Sequence, residues 1–352
     1  MGKLRVGVIF GGKSGEHEVS LLSAQSVMDA MDRDKYEVVQ IGIDREGRWI
    51  SGGNPMALLK ARARLRLGED WGGREDPGEY TVWGKLPPMD LLGSLDVAFP
   101  VLHGPYGEDG TVQGLFEIAG VPYVGSGVTA SAVGMDKAVS KALFRVKGLP
   151  VLPYLVVHRK ELEGDVDDLV RRIESELAYP MFVKPANLGS SVGISKAGSR
   201  EDLVNGLKLA AGYDRKLLVE QGISAREIEC GVLGNDEPEV SVPGEVVPGK
   251  EWYDYEAKYQ DDSTELLVPA PLRADLAARI RGIALEAYLA LGCRGLSRVD
   301  FLLDKETGEV YLNEINTMPG FTPVSMYPLV WQASGLSYRE LVDRLIELAL
   351  ER

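Results

Sequence analysis

Apolar residues at positions 4, 6, 8 and 10, with Ile9 between them, open the chain as one buried strand, LRVGVIF. From 16 to 31 the spacing changes: Val19, Leu22, Val27, Met28 and Met31 recur at helical intervals, and EVVQIGI (37–43) is again a strand run. The chain therefore starts β-α-β. Residues 44–90 mix charge with Gly and Pro, hold no period, and read as an irregular peripheral insertion. DVAFPVLHG (96–104) predicts a further buried strand running into the Gly-rich loop PYGEDG, followed by a helix, TVQGLFEIAG, and a short strand, PYVG. Their sum is a small parallel-sheet domain.

The pattern then changes. MDKAVSKALFRVKG (135–148) predicts a helix stopped by Gly148 and Pro150. Strand LPYLVVHR, helix DVDDLVRRIESEL, strand YPMFVKP, a loop, strand VGISKA and helix EDLVNGLKLAAG form a compact α+β unit. Strands KLLVEQGI, REIECGVLG and PEVSVPGEVV follow, then a polar, aromatic stretch (248–264), a long helix from Arg273 to Leu291, the hairpin LSRVDFLLDKETGEVYLNEINT and a terminal helix. The fold class is α/β (α+β): a Rossmann-like parallel-sheet domain over 1–128 with an insertion at 44–90, then units over 129–215 and 216–352.

At 352 residues the chain can build two or three cores, and its apolar (45%) and charged (26%) fractions are those of a soluble globular protein. A net charge of -14 argues against nucleic acid as a partner. No apolar run approaches the ~18 residues of a membrane span, and no signal-peptide core is visible, so a cytoplasmic protein without membrane attachment is expected. Cys230 and Cys293 stand in apolar settings without metal-ligand spacing and read as buried free thiols.

Four stretches could carry chemistry. GVIFGGKS (7–14) spells the phosphate-loop pattern G-x-x-x-x-G-K-S. Its first half, however, lies inside the opening strand, and Glu16 and Glu18 follow where a triphosphate would have to sit. A strand-turn-helix start is the better reading. In the C-terminal hairpin, Arg298 and Asp300 share one strand face, and Glu314 and Asn316 share another. The two pairs converge only if paired residue numbers add to an even value, which a four-residue turn does not give. An odd loop or a bulge at Gly308 is therefore predicted. With that register two carboxylates and an amide oxygen suit Mg²⁺; the flanking VDFLL and VYL look too buried for a merely solvated hairpin face. Lys184 ends an apolar strand before the turn Gly189, Ser190, Ser191, whose amides and hydroxyls could cap phosphate oxygens. Glu220 and Glu227 could accept from an adenine amino group and a ribose hydroxyl, or could be two surface acids.

Read in order, MDKAVSK, VKPANLGSSVGISK, VEQGISAREIECGVLG, RVDFLL and NEINTMPG resemble the ATP-grasp superfamily, which clamps ATP between two α+β subdomains. GGKSGEHEVSL, LHGPYGEDGTVQG, WYDYEAKY and NTMPGFTPVSMYP are similar to the D-alanine:D-alanine ligase family within it. The likeness spans nearly the whole chain outside residues 44–90. It implies ATP as the nucleotide and D-alanine as the substrate. Lys137 and Lys184 would hold the α and β phosphates under the Gly189–Ser191 turn. Glu220, Glu227 and the backbone near Ile223 would meet adenine and ribose. Asp300, Glu314 and Asn316 would hold two Mg²⁺ ions, with Mn²⁺ able to substitute.

The same resemblance sets Glu16 against the ammonium of the first D-alanine, oriented by Ser190 and Tyr259, with His103 beside that substrate. Arg298 and the Gly320 amide would form an oxyanion hole. Ser325, with Lys258 and Arg298, would bind the second carboxylate. Met326 stands where the family usually has leucine, an exchange that conserves apolar bulk. Residues 248–264, with Tyr253, Tyr255 and Tyr259, are expected to act as a lid that keeps water from an acyl phosphate. A homodimer is implied. Ligases that use D-serine or D-lactate as acceptor are the near alternatives, and the tyrosine in EAKY favours D-alanine over D-lactate. A non-catalytic ATP-grasp module is the alternative of another class, and the complete set Arg298, Asp300, Glu314, Asn316 speaks against it.

Overall fold

The computed structural model describes residues 2–67, 76–189, 192–249 and 264–351. A first sheet is built from β1 (Leu4–Gly11), β2 (Tyr36–Ile43), β3 (Trp49–Ser51), β4 (Thr81–Val82) and β5 (Val97–Val101) in the order β4-β3-β2-β1-β5. β1 pairs in parallel with β2 and β5, as the buried apolar runs predict, while β3 and β4 add antiparallel strands. Helices α1 (His17–Ala30), α2 (Pro55–Leu67), α3 (Met89–Gly93) and α4 (Thr111–Ala119) belong to this unit.

Residues 44–90 are thus more than an irregular insertion. They extend the sheet by two strands and add α2, whose Met56, Leu59 and Ala63 are buried at helical spacing. Alternating basic residues in LKARARLRL hide that stripe, and β3 is too short to show a period. PYVG contributes a single parallel bridge, Ala98 to Tyr123, in place of a strand.

A second sheet, wholly antiparallel, takes the order β6-β9-β7-β8 from β6 (Tyr154–His158), β7 (Met181–Pro185), β8 (Ser195–Ala197) and β9 (Lys216–Gln221). Before it come α5 (Val128–Met135) and α6 (Lys137–Val146); α7 (Val166–Glu176) and α8 (Arg200–Tyr213) pack on it through Ile173, Leu203 and Leu207. The Asp136 carboxylate caps α6 by accepting from the Ala138 and Val139 amides, and Gly148 leaves it in the left-handed conformation (φ 74°).

The third sheet contains β10 (Ala225–Gly234), β11 (Glu239–Val240), β12 (Gly244–Val247), β13 (Glu265–Leu267), β14 (Gly295–Asp304) and β15 (Val310–Asn316), ordered β13-β12-β10-β14-β15 with β11 on β10. One face buries Ile228, Cys230, Val299, Phe301 and Leu312 against Ile280, Ala284 and Tyr288 of α9 (Ala274–Leu291). The predicted terminal helix is two helices, α10 (Met326–Ala333) and α11 (Tyr338–Leu350). Both share one core with the first sheet, where Phe99 of β5 meets Phe321 edge-on at 6.1 Å.

Two glycines let α10 sit on the opposite face of the third sheet. A side chain at Gly244 would collide with Met326 Sδ, and one at Gly231 would come within 2.6 Å of the Trp331 indole nitrogen. Cys230 and Cys293 are free and buried, and burial pushes both thiols up, Cys293 to about 12. Among the described residues no helix is long and apolar enough to cross a membrane.

Candidate active site

The chemistry-bearing side chains lie in rows across the third sheet. One row runs Gly231, Arg298, Asn316 over β10, β14 and β15; the next runs Gly244, Glu229, Asp300, Glu314 over β12, β10, β14 and β15. Cross-strand neighbours in a row point to the same face. The hairpin residues converge as the sequence predicts, but by a different irregularity. A four-residue turn joins the strands, with the Asp304 carboxylate accepting from the Glu306 and Thr307 amides and Gly308 left-handed at φ 73°. The register shift falls between Asp300 and Phe301, where Phe301 pairs with Leu312 and Asp300 with Glu314. Asn313, not Gly308, is the extra residue. This bulge keeps Leu312 and Ile315 in the α9 core while Glu314 and Asn316 face away from it.

Arg298 grips Asp300 with Nε and Nη2, each at 2.7 Å, and Asn316 Nδ2 donates to Asp300 Oδ2 at 2.9 Å. Arg298 Nε also lies 2.9 Å from Glu229 Oε2. Burial opposes the guanidinium charge, but Asp300 and Glu229 outweigh it and hold its pKa well above the ordinary value. Among the described residues no three His, Cys, Asp or Glu side chains gather as a ready cation site. The hard oxygen donors of Asp300 and Glu314 on adjacent strands, with the Asn316 amide beside them, nevertheless fit a divalent cation by type and spacing.

Opposite this sheet stands a buried triad. The two Glu220 oxygens meet Lys141 at 2.5 Å and Lys184 at 2.7 Å, and the Glu220 and Lys141 side chains are each only 1% exposed. Burial would raise the Glu220 pKa, but the two lysines outweigh it and hold the carboxyl below its ordinary range. Glu220 therefore organises the lysines, a task its sequence position did not suggest. Lys137 Nζ donates to the Leu188 carbonyl at 2.8 Å and lies 3.2 Å from Glu314 Oε2, tying α6 to the hairpin. Lys137, Lys184, Glu220 and Glu314, with Glu227, Ile223, Phe182 and Leu302, line a cleft of about 980 Å³ between the second and third sheets. Its wall combines lysines and carboxylates with apolar side chains, the character of a nucleotide site.

A second cavity of about 590 Å³ adjoins it, and the two share Lys137, Gly189, Glu229, Val246 and Glu314 in their walls. Glu16, His103, Glu108, Arg298, Gly320, Ser325 and Met326 all line the second cavity. Glu16 precedes α1 without capping it. Its Oε2 lies close to the Gly104 and Gly189 turns, 2.8 Å and 3.5 Å from where their missing Cβ atoms would be. Ser14 Oγ accepts from the Glu16 amide at 3.2 Å and donates to the His103 carbonyl at 2.7 Å, fixing the turn. His103 bonds the Met318 carbonyl at 3.1 Å and Ser23 Oγ at 3.3 Å, and burial lowers its pKa. Burial, then the nearby Glu16 charge, raises Glu108 to about 8, while its Oε2 accepts from the Gly104 amide. Ser325 Oγ accepts from the Thr322 amide at 3.2 Å at the start of α10, and Gly320 leaves room for it.

The phosphate-loop pattern has no such setting. Gly7 is a mid-strand residue covered by the Leu95 side chain, where a Cβ would not fit, and Lys13 is exposed with Nζ 4.6 Å from the Tyr106 ring centroid. Ser190, Ser191, Lys258 and Tyr259, with most of the 248–264 stretch, lie outside the described residues. Sequence reasoning missed Lys141, Glu229 and Glu108. Lys141 could have been found from its i,i+4 relation to Lys137, and Glu229 from the strand alternation in EIEC that sets Glu227 and Glu229 on one face.

A lysine-lined cleft between two α+β layers, closed by an acidic hairpin, defines a nucleotide-dependent enzyme of the ATP-grasp fold. The family models described as D-ala D-ala ligase N-terminus and D-ala D-ala ligase C-terminus match residues 5–126 and 143–347. The chain belongs to the D-alanine–D-alanine ligase family. It is 54% identical to the D-alanine–D-alanine ligase of Heliobacterium modesticaldum and 51% identical to that of Natranaerobius thermophilus, in each case over 100% of this chain and 96% of the relative. Among solved structures it is similar to the VanG D-Ala:D-Ser ligase of Enterococcus faecalis (TM-score 0.86, 35% identity, 99% of this chain and 100% of that one). The D-alanine-D-alanine ligase of Coxiella burnetii is also similar (TM-score 0.81, 35% identity, 99% and 94%).

Proposed function

We propose that this chain joins two D-alanines into D-alanyl-D-alanine at the expense of ATP, supplying a peptidoglycan precursor. The observation that carries the reading is the shared wall. Lys137 and Glu314 line both the nucleotide cleft and the cavity that holds Glu16, so a phosphoryl group and an amino-acid carboxylate can meet there.

In the proposed reaction Lys137 and Lys184 hold phosphate oxygens of ATP, Glu220, Glu227 and the Ile223 backbone meet adenine and ribose, and Glu220 also keeps the lysines in place. Asp300, Glu314 and Asn316 would hold Mg²⁺, two ions in the full complex. Bound there, the metal would neutralise charge on the phosphates. Glu16 accepts from the ammonium of the first D-alanine beside His103, which leaves that substrate's carboxylate directed at the nucleotide. Phosphoryl transfer gives D-alanyl phosphate and ADP. Ser325 and Arg298 hold the carboxylate of the second D-alanine, whose amine displaces phosphate. Arg298 and the Gly320 amide take up the negative charge of the tetrahedral intermediate. Met326 shapes the apolar side of the second site. The exclusion of water protects the acyl phosphate.

We also take 1–128, 129–215 and 216–352 as the domains, and a cytoplasmic homodimer as the working form. ADP and dipeptide formation with D-alanine alone, then with D-serine and D-lactate as competing acceptors, tests the reading. D-alanine as sole substrate should suffice, with D-alanyl-D-alanine the main product. Preferred use of D-serine would reassign the acceptor. ATP binding without D-alanine-dependent phosphate release would leave only a nucleotide-binding module.

A further inference from the structure

Arg298 has two carboxylate partners with different prospects. Asp300 is gripped through both arms of the guanidinium and also accepts from Asn316, whereas Glu229 meets Arg298 Nε at 2.9 Å. Glu229 stands directly across the β10–β14 ladder from Asp300, with Gly244 as its neighbour on the other side. In the proposed function Asp300 holds a divalent cation, and the inference that follows rests on that reading. An oxygen lone pair committed to Arg298 or Asn316 is not available to a metal, and a cation at Asp300 repels the guanidinium. The cation's repulsion of the guanidinium therefore loosens the hold of Arg298 on Asp300 when Asp300 ligates. A buried guanidinium that loses a carboxylate partner is strongly penalised unless a second one remains.

We infer that Glu229 is a positioning residue that retains Arg298 while Asp300 turns to the cation. It makes metal binding an exchange of partners along one row of the sheet and keeps the guanidinium in the wall of the second cavity. Without Glu229, Arg298 clings to Asp300 and competes with the metal.

Two variants separate this role from the plain effect of a nearby negative charge. Glu229→Gln removes the charge; Glu229→Asp keeps it but draws the carboxylate back from Arg298. Mn²⁺ binding to the protein–ADP complex, read by electron paramagnetic resonance, gives a measure independent of turnover, and ADP affinity in EDTA reports whether the cleft is intact. Both variants should bind Mn²⁺ roughly tenfold more weakly, the loss expected for one charge-assisted partner, while still binding ADP in EDTA no more weakly than wild type. Wild-type Mn²⁺ affinity in Glu229→Asp would mean that charge alone matters and would overturn the inference, as would wild-type affinity in Glu229→Gln. Should Glu229→Gln fail to fold, Glu229→Asp alone decides. A separate control tests the underlying reading: if Asp300→Asn binds Mn²⁺ as tightly as wild type, the cation is not at Asp300 at all.

Discussion

Asp300 faces Glu314 across the last hairpin because the ladder passes over Asn313. Those two carboxylates would otherwise point to opposite sides of the sheet, one of them into the α9 core. With Asn313 in the strand, it is the register shift beside it, and not the turn, that keeps both carboxylates on one face. Deleting Asn313 should therefore be tolerated, since Leu312 and Glu314 then become successive members of a regular ladder and keep their present partners. Deleting Leu312 instead brings Asn313 opposite Phe301 in the core and should abolish folding. Mn²⁺–ADP binding by the two deletion proteins, with circular dichroism, checks this; equal damage from both would refute the register argument.

The close seat of α10 on the sheet predicts a glycine effect. Gly244→Ala should cost about 1–3 kcal/mol in urea unfolding, because the added methyl meets Met326 Sδ. It should also raise the KM for the second D-alanine, since Ser325 starts the displaced helix, while ADP affinity stays near wild type. Gly212→Ala in α8, with nothing within 4 Å of its Cβ position, is the contrasting control and should stabilise by up to about 1 kcal/mol.

The two candidate phosphate lysines make opposite forecasts. Lys184→Ala should weaken ATP binding by roughly tenfold or more, through loss of a charge-assisted contact in a secluded cleft. Lys13→Ala, which only lifts an ammonium from the Tyr106 ring, should leave binding nearly unchanged. Isothermal titration with ADP distinguishes them, and the reverse order would revive the phosphate-loop reading.

Glu108 sets a pH dependence. Its folded-state pKa is raised to about 8 by burial, then by Glu16, so between the ordinary carboxylate range and pH 8 the native chain holds a proton that the unfolded chain has lost. Stability from this group is thus present at acid pH and falls as pH rises toward about 8. Glu108→Gln should flatten that decline. Urea midpoints at pH 5, 6.5 and 8 are the measurement, and parallel curves for the two proteins would show that Glu108 does not titrate this way.

The parts legible in sequence were those that one strand or one helix announces by itself. Buried runs mark β1, β2 and β5, and the spacing of Arg298, Asp300, Glu314 and Asn316 by itself demands a register fault. Its location was not legible, because Gly308 is equally at home in a plain turn, whereas the bulge answers to the packing of Ile315 on α9. Residues 44–90 were misread because a three-residue strand has no period and the basic residues of α2 mask its buried side. Glu220 shows a different gap. Its lysine partners Lys141 and Lys184 come from α6 and β7, and only tertiary packing brings three such charges together.

The row Gly244, Glu229, Asp300, Glu314 also has a consequence in time. β14 enters the sheet between β10 and β15, so β10 has no partner on that side until nearly three hundred residues have been synthesised. Such distant pairings are slow to close. A growing chain therefore has a nucleotide-facing lysine pair long before it has an acidic row to work with, and the chemistry can begin only once the final hairpin has docked.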